Sequence, residues 1–168
     1  FIDVGFDGLC PNPRLIAMCE DTCIITACPY LYVGMGITDE SIDILLRLKA
    51  LSAGGRRCVI APGDFNIPAE AMEASGILDA LGMVLVKPNN TSITCHLGKG
   101  SLIDYVLVTA KFLPLILSVT TDEAVPWPPH VGLRIRLRVD CKHIVTKGVR
   151  RPKPFPEAVE HFKKLGMY

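Results

Sequence analysis

Between residues 23 and 61 the spacing of apolar residues changes twice, and that double change most limits the folds open to the chain. Cys23–Ala27 is a short apolar, β-branched run of the kind that forms a buried strand, and Leu31–Val33 extends it beyond Pro29. Gly34 and Gly36 flank a turn, and Thr38 or Asp39 can cap a helix. Ile42, Leu45, Leu46 and Leu48 then recur at helical intervals up to Leu51, and Gly54 and Gly55 stop the helix. Arg57–Ala61 returns to a strand pattern. A strand, a helix and a second strand in that order make a layered α/β domain, in which the helix covers one face of a sheet.

The rest of the chain is mainly strands. Pro68 stands where a helix can begin, and Glu70, Ala71, Met72 and Ala74 continue it. Ile77–Leu81 is a further helical turn between Gly76 and Gly82. Met83–Val86, Thr91–His96, Leu102–Thr109, Leu115–Val119 and Val131–Val139 read as strands, with a polar turn at Pro88, Asn89 and Asn90. In the last strand Val131, Leu133, Ile135, Leu137 and Val139 alternate with Arg134, Arg136 and Arg138, so one face is buried. The expected fold is α/β with a mixed sheet.

Charge divides the chain. The total is +1, from 18 basic and 17 acidic residues, but residues 141–168 hold 7 basic and 2 acidic ones. Residues 1–140 are therefore acidic, and 141–168 form a basic tail or linker, with one short helix over Glu157–Leu165, that could contact a polyanion. The uncharged run Thr22–Thr38 is broken by Pro29, Gly34 and Gly36 and falls short of the roughly 20 apolar residues of a membrane helix, so no membrane partner is expected. Seven cysteines without a compact spacing read as mostly reduced thiols in an intracellular chain. Residues 1–22 are a poorly defined segment. Opening on Phe1 without a leader pattern, they read as the break point of a longer chain.

The informative residues are polar ones in apolar strands. Asp64 and Asn66 follow a strand, and Gly63 beside them allows close backbone approach or an unusual φ. A carboxylate can take a proton or hold a water, and a carboxamide can donate to a phosphate oxygen. An Asx turn with a helix cap would use the same residues. Asp104 lies within the apolar run Leu102–Thr109, so it either has a partner or faces solvent. His130, fixed by a proline-rich loop and followed by a core strand, is the candidate partner, because an Asp sets an imidazole's tautomer and stabilises its charged form. It could equally be a structural histidine. Other motifs fail. Gly34-Met35-Gly36 lacks the third glycine of a dinucleotide fingerprint, and Cys19, Cys23 and Cys28 lack zinc-ligand spacing.

Three of these segments carry a resemblance. Ile60-Ala61-Pro62-Gly63-Asp64-Phe65-Asn66 resembles the Gly-Asp-Phe-Asn signature of the endonuclease/exonuclease/phosphatase superfamily. Ser101 to Thr109 resembles its Ile-Asp-Tyr strand, and Trp127-Pro128-Pro129-His130-Val131-Gly132-Leu133 resembles its final Ser-Asp-His motif. The resemblance spans residues 23–140 as the C-terminal portion of such a domain, and looks most like the endonuclease domains of non-long-terminal-repeat retrotransposons. It implies part of a four-layered α/β sandwich of the DNase I-like kind, with mostly antiparallel sheets. It also implies Mg²⁺- or Mn²⁺-dependent hydrolysis of phosphodiesters, with DNA as the favoured partner, and a nuclear location if the chain derives from a retrotransposon. Asp64 would prepare the attacking water, Asn66 would hold a phosphate oxygen, Asp104 would orient His130, and His130 would contact the phosphate. Tyr32 matches the family's phosphate-side tyrosine, although Tyr30 is equally placed.

The chain departs from the family at its metal positions. Pro129 stands where the metal-site aspartate precedes the histidine, and Pro128 replaces the serine. Glu20 is too close to the following strand to match the family's early glutamate. Metal binding is therefore expected to be weak or absent in this chain alone. A non-catalytic remnant of the same fold and a phosphomonoesterase acting on a small substrate are the alternatives.

Overall fold

The protein is described from a computed structural model, in which residues 14–19, 24–34, 36–125 and 128–138 are described. The basic tail 141–168, with its expected helix, and Glu20 lie outside the described residues.

Five strands form the main sheet, in the order β1 (Leu15–Cys19), β2 (Ile24–Pro29), β3 (Cys58–Asp64), β5 (Asp104–Thr109) and β4 (Met83–Val86). β2 and β3 run parallel, and the other neighbours are antiparallel. A parallel pair needs a crossover, and helix α1 (Asp39–Leu51) supplies it. Thr38 caps α1 in an extended conformation, its Oγ1 accepting the Ser41 N–H at 3.2 Å. Asp39 and Glu40 in the first turn and Lys49 in the last suit the helix dipole.

The buried stripe of α1 is Ser41, Ile44, Leu45, Leu48 and Leu51, whereas Leu46 is exposed. Short helices α2 (Ala69–Ala74) and α3 (Ile77–Leu81) complete this layer. Beneath the helices lie Ile25, Ala27, Val59, Ala61, Met83, Leu85, Tyr105 and Leu107, from four strands of the sheet. The opposite face carries Ile24, Cys58, Ile60, Val106 and Val108. It is covered by a second sheet of two antiparallel strands, β6 (Ile116–Asp122) and β7 (Gly132–Leu137), through Val119, Ile116, Leu133, Ile135 and Leu137. β5 is buried at every position because it lies between both layers. Three layers are seen among the described residues: helices, main sheet, second sheet. No helix among them is long and apolar enough to cross a membrane. Cys28, Cys58 and Cys95 are free thiols.

Several sequence expectations need correction. β1 was not legible. The segment Leu31–Val33 is not strand, because the chain turns at Val33 and Gly34 toward α1. Thr91–His96 is irregular and forms no strand of either sheet, although Cys95 bridges to Ser101 and to His130. A six-residue 3-10 segment, Ala110–Leu115, precedes β6. β3 continues past Ala61 to Asp64. Proline has no N–H to give, and the pairing of β3 with β2 lapses between Ile60 and a single bridge at Tyr30–Asp64 while β5 holds the other edge. Gly63 serves close approach, since a Cβ there would strike the Pro29 carbonyl oxygen and ring.

Candidate functional site

The last residue of β3 and the first of β5 face each other directly: Asp64 is the register partner of Asp104. Two carboxylates opposed across an antiparallel pair repel, so a positive or hydrogen-bonding group between them is needed. His130 supplies it. Its Nδ1 lies 3.0 and 3.1 Å from the two Asp104 carboxylate oxygens, and its Nε2 lies 3.8 Å from Asp64 Oδ2. Asp104 is only 8% exposed, which excludes the solvent-facing alternative. It is the first residue of its strand, not an interior one.

Both carboxyls are held above the ordinary aspartate range. For Asp104 the cause is burial, opposed by hydrogen bonds from His130 and Thr94. For Asp64 it is burial and then the charge of Asp104, opposed chiefly by the Asn66 backbone bond and by His130. A carboxyl whose folded pKa is raised adds its stability below its ordinary value and loses it as pH climbs through the folded value. Asp64→Asn is therefore expected to unfold at a higher temperature than the parent at neutral pH. The difference should vanish below the ordinary aspartate range. Equal melting temperatures at neutral pH would show that Asp64 carries no burial penalty.

Asn66 adjoins this group through Asp64. Its backbone N–H donates to Asp64 Oδ1 at 3.1 Å, an Asx turn, with Asn66 at φ 50°. Its side-chain Nδ2 donates to the Leu31 carbonyl at 3.0 Å, and the carboxamide also hydrogen-bonds the Asp64 carboxyl, which opposes the rise of that pKa. The Leu31 N–H in turn donates to the Asp64 carbonyl at 3.0 Å, so residues 30–32 run alongside the end of β3. Tyr30 and Tyr32 are both part-exposed there. The Arg14 guanidinium lies 3.8 Å from the Tyr32 ring centroid and 4.8 Å from that of Tyr30. No sequence signal pointed to Arg14, because residues 1–22 show no readable period. Pro129 offers no side-chain ligand, and its carbonyl accepts the His96 N–H at 2.9 Å.

Asp64, Asp104 and His130 each offer one ligand atom, all within 4.8 Å of one another, so they could together hold a metal ion. Nδ1 is engaged by Asp104, which leaves Nε2 and the Asp64 carboxylate as the donors facing out. That mixed oxygen and nitrogen set suits Mn²⁺ at least as well as Mg²⁺, which favours oxygen alone. From sequence these residues read as catalytic, with no ligands assigned to the metal.

No family model matches the chain, and no curated protein sequence matches it. Solved structures do. The endonuclease domain of TRAS1, a telomere-specific non-LTR retrotransposon, is 17% identical with a TM-score of 0.57, over 77% of this chain and 72% of that one. The 3′ phosphatase NExo from Neisseria, bound to product DNA hairpin, is 16% identical with a TM-score of 0.54, over 76% and 66%. An endonuclease/exonuclease/phosphatase family protein from Leptotrichia buccalis is 14% identical with a TM-score of 0.52, over 74% and 53%. The chain spans from about half to under three quarters of the length of these proteins. Its fold is the DNase I-like α/β fold they share.

Proposed function

We propose that the chain is part of a metal-dependent phosphodiesterase of the DNA endonuclease kind, which hydrolyses its substrate by in-line attack of water on phosphorus. The observation that carries this reading is the line Asp104–His130–Asp64, with contacts of 3.0 Å and 3.8 Å. Asp104 holds His130 by Nδ1 and turns Nε2 outward, where it can meet a phosphate oxygen. Asp64, with a raised pKa, is suited to take a proton from an attacking water. The Asn66 carboxamide can donate to a second non-bridging oxygen when substrate displaces its bond to Asp64, and Tyr32 follows Leu31, whose carbonyl Asn66 holds. A divalent ion bound here would supply charge neutralisation at the phosphate. Nucleic acid, DNA in particular, is the proposed partner.

The test is plasmid nicking. Cutting that requires Mg²⁺ or Mn²⁺ and stops with EDTA supports the reading, and cutting unchanged by EDTA sinks it. A second reading, a non-catalytic remnant that keeps the cleft for binding, is favoured by one observation: Pro128 and Pro129 bring no ligand atoms to the position before His130. Mg²⁺ is bound mainly through carboxylates, water and substrate phosphate. Calorimetry on the 168-residue chain without substrate is accordingly expected to show only weak Mg²⁺ binding. A tight one-to-one isotherm would contradict this.

A further inference from the structure

Asp104 and His130 come from segments 26 residues apart, and one buried residue touches the main chain of both. Thr94 is fully buried. Its Oγ1 accepts the N–H of Ile103 at 3.1 Å and that of Asp104 at 2.9 Å, the two amides at the start of β5. Its own carbonyl accepts the N–H of Val131, next to His130, at 3.0 Å, and its N–H donates to the Ser101 carbonyl at 2.9 Å. The neighbouring residues extend the clamp, through the Cys95–His130 bridge and the bond from His96 to Pro129.

We propose that Thr94 is a positioning residue whose hydroxyl and carbonyl together set the Asp104–His130 pair. The side chain fixes the backbone that carries the carboxylate, and the main chain fixes the backbone that carries the imidazole. The two amide donors use the lone pairs of the hydroxyl oxygen. Its proton is left for the Ser101 carbonyl, at a long 3.5 Å, or for the Asp104 carboxylate, which Thr94 stabilises in its charged form. Thr94→Val keeps the shape and removes the acceptor. Two buried amides then lose their partner, and the start of β5 must shift or admit water. Thr94→Ser keeps the oxygen. The catalytic consequence rests on the phosphodiesterase reading, whereas the geometric role does not.

The experiment is NMR on the 168-residue chain with ¹⁵N-labelled histidine. The His130 Nδ1–H proton is expected at low field in the parent and in Thr94→Ser, and is expected to be lost or shifted upfield in Thr94→Val. An unchanged Nδ1–H signal in a folded Thr94→Val protein overturns the proposal, as does its absence from the parent. If Thr94→Val does not fold, the parent decides. A slowly exchanging Thr94 hydroxyl proton with a cross-peak to the Asp104 amide supports the role, and absence of that proton overturns it. Nicking is scored separately. Where the parent cuts, Thr94→Val should lower kcat about ten-fold at unchanged KM, with Thr94→Ser close to the parent, and equal kcat in Val and parent overturns the catalytic consequence. A chain that does not cut, but whose Nδ1–H signal follows the hydroxyl, supports the positioning role while the phosphodiesterase reading fails.

Discussion

Changing His130 to Ala is expected to lower metal-dependent plasmid nicking by at least about 10²-fold. Losing one donor to the developing charge at an acyl or phosphoryl centre typically costs on that order. The imidazole is the group between the two carboxylates, 3.0 Å from Asp104 and 3.8 Å from Asp64. Its removal takes away the Nε2 proposed to meet the phosphate and leaves the two acids opposed. Asp104→Asn should cost nearly as much. An amide carries no charge, so it no longer stabilises the charged ring, the form in which Nδ1–H is held by residue 104 while Nε2–H donates toward the phosphate. Pro129→Asp should instead raise activity, because it adds a carboxylate next to His130. If His130→Ala cuts as well as the parent, the phosphodiesterase reading is wrong and the remnant reading takes its place.

Phe65→Ala is expected to destabilise the fold by about 3–5 kcal/mol, the usual range for removing a large buried ring. Phe65 is fully buried, and its ring stacks on Tyr105 with centroids 4.3 Å apart and planes 3° from parallel. Both rings lie in the core beneath the helices, and each belongs to the residue next to a site aspartate. The cavity would therefore open where Asp64 and Asp104 are anchored, so activity should fall with stability. Denaturant unfolding that shows a loss below about 1 kcal/mol would mean that the pocket closes over the missing ring.

The site was legible where chemistry contradicts surroundings. A carboxylate such as Asp104 in an apolar run must find a partner or face water, and the partner could be named because a histidine follows a proline-rich loop. Gly63 was legible as a glycine beside polar residues, but only the fold shows that the Pro29 carbonyl, not a positive φ, demands it. Thr94 and Arg14 were not legible. Thr94 works through its contacts with residues 103, 104 and 131, none adjacent to it in sequence. Arg14 precedes a strand whose five residues carry no clear alternation.

The sequence by itself determined the succession β2, α1, β3, α2, α3, β4 and β5, the α/β class and the identity of the polar residues, because these depend on local period, capping and the cost of burying charge. It missed β1 and placed a strand at Thr91–His96 where there is none. The cap at Thr38, the helix it starts and the run that becomes β5 are local decisions of this kind. Only the tertiary structure decided which face each element buries. The helical reading of α1 takes in Leu46 and passes over Ile44, yet the sheet below covers Ile44 and leaves Leu46 in water. It also decided that β3 runs through Pro62, because β5 pairs along the other edge. And it set Asp64 opposite Asp104 with His130 between them, since strand register is fixed by packing on both faces of β5, which no stretch of sequence contains.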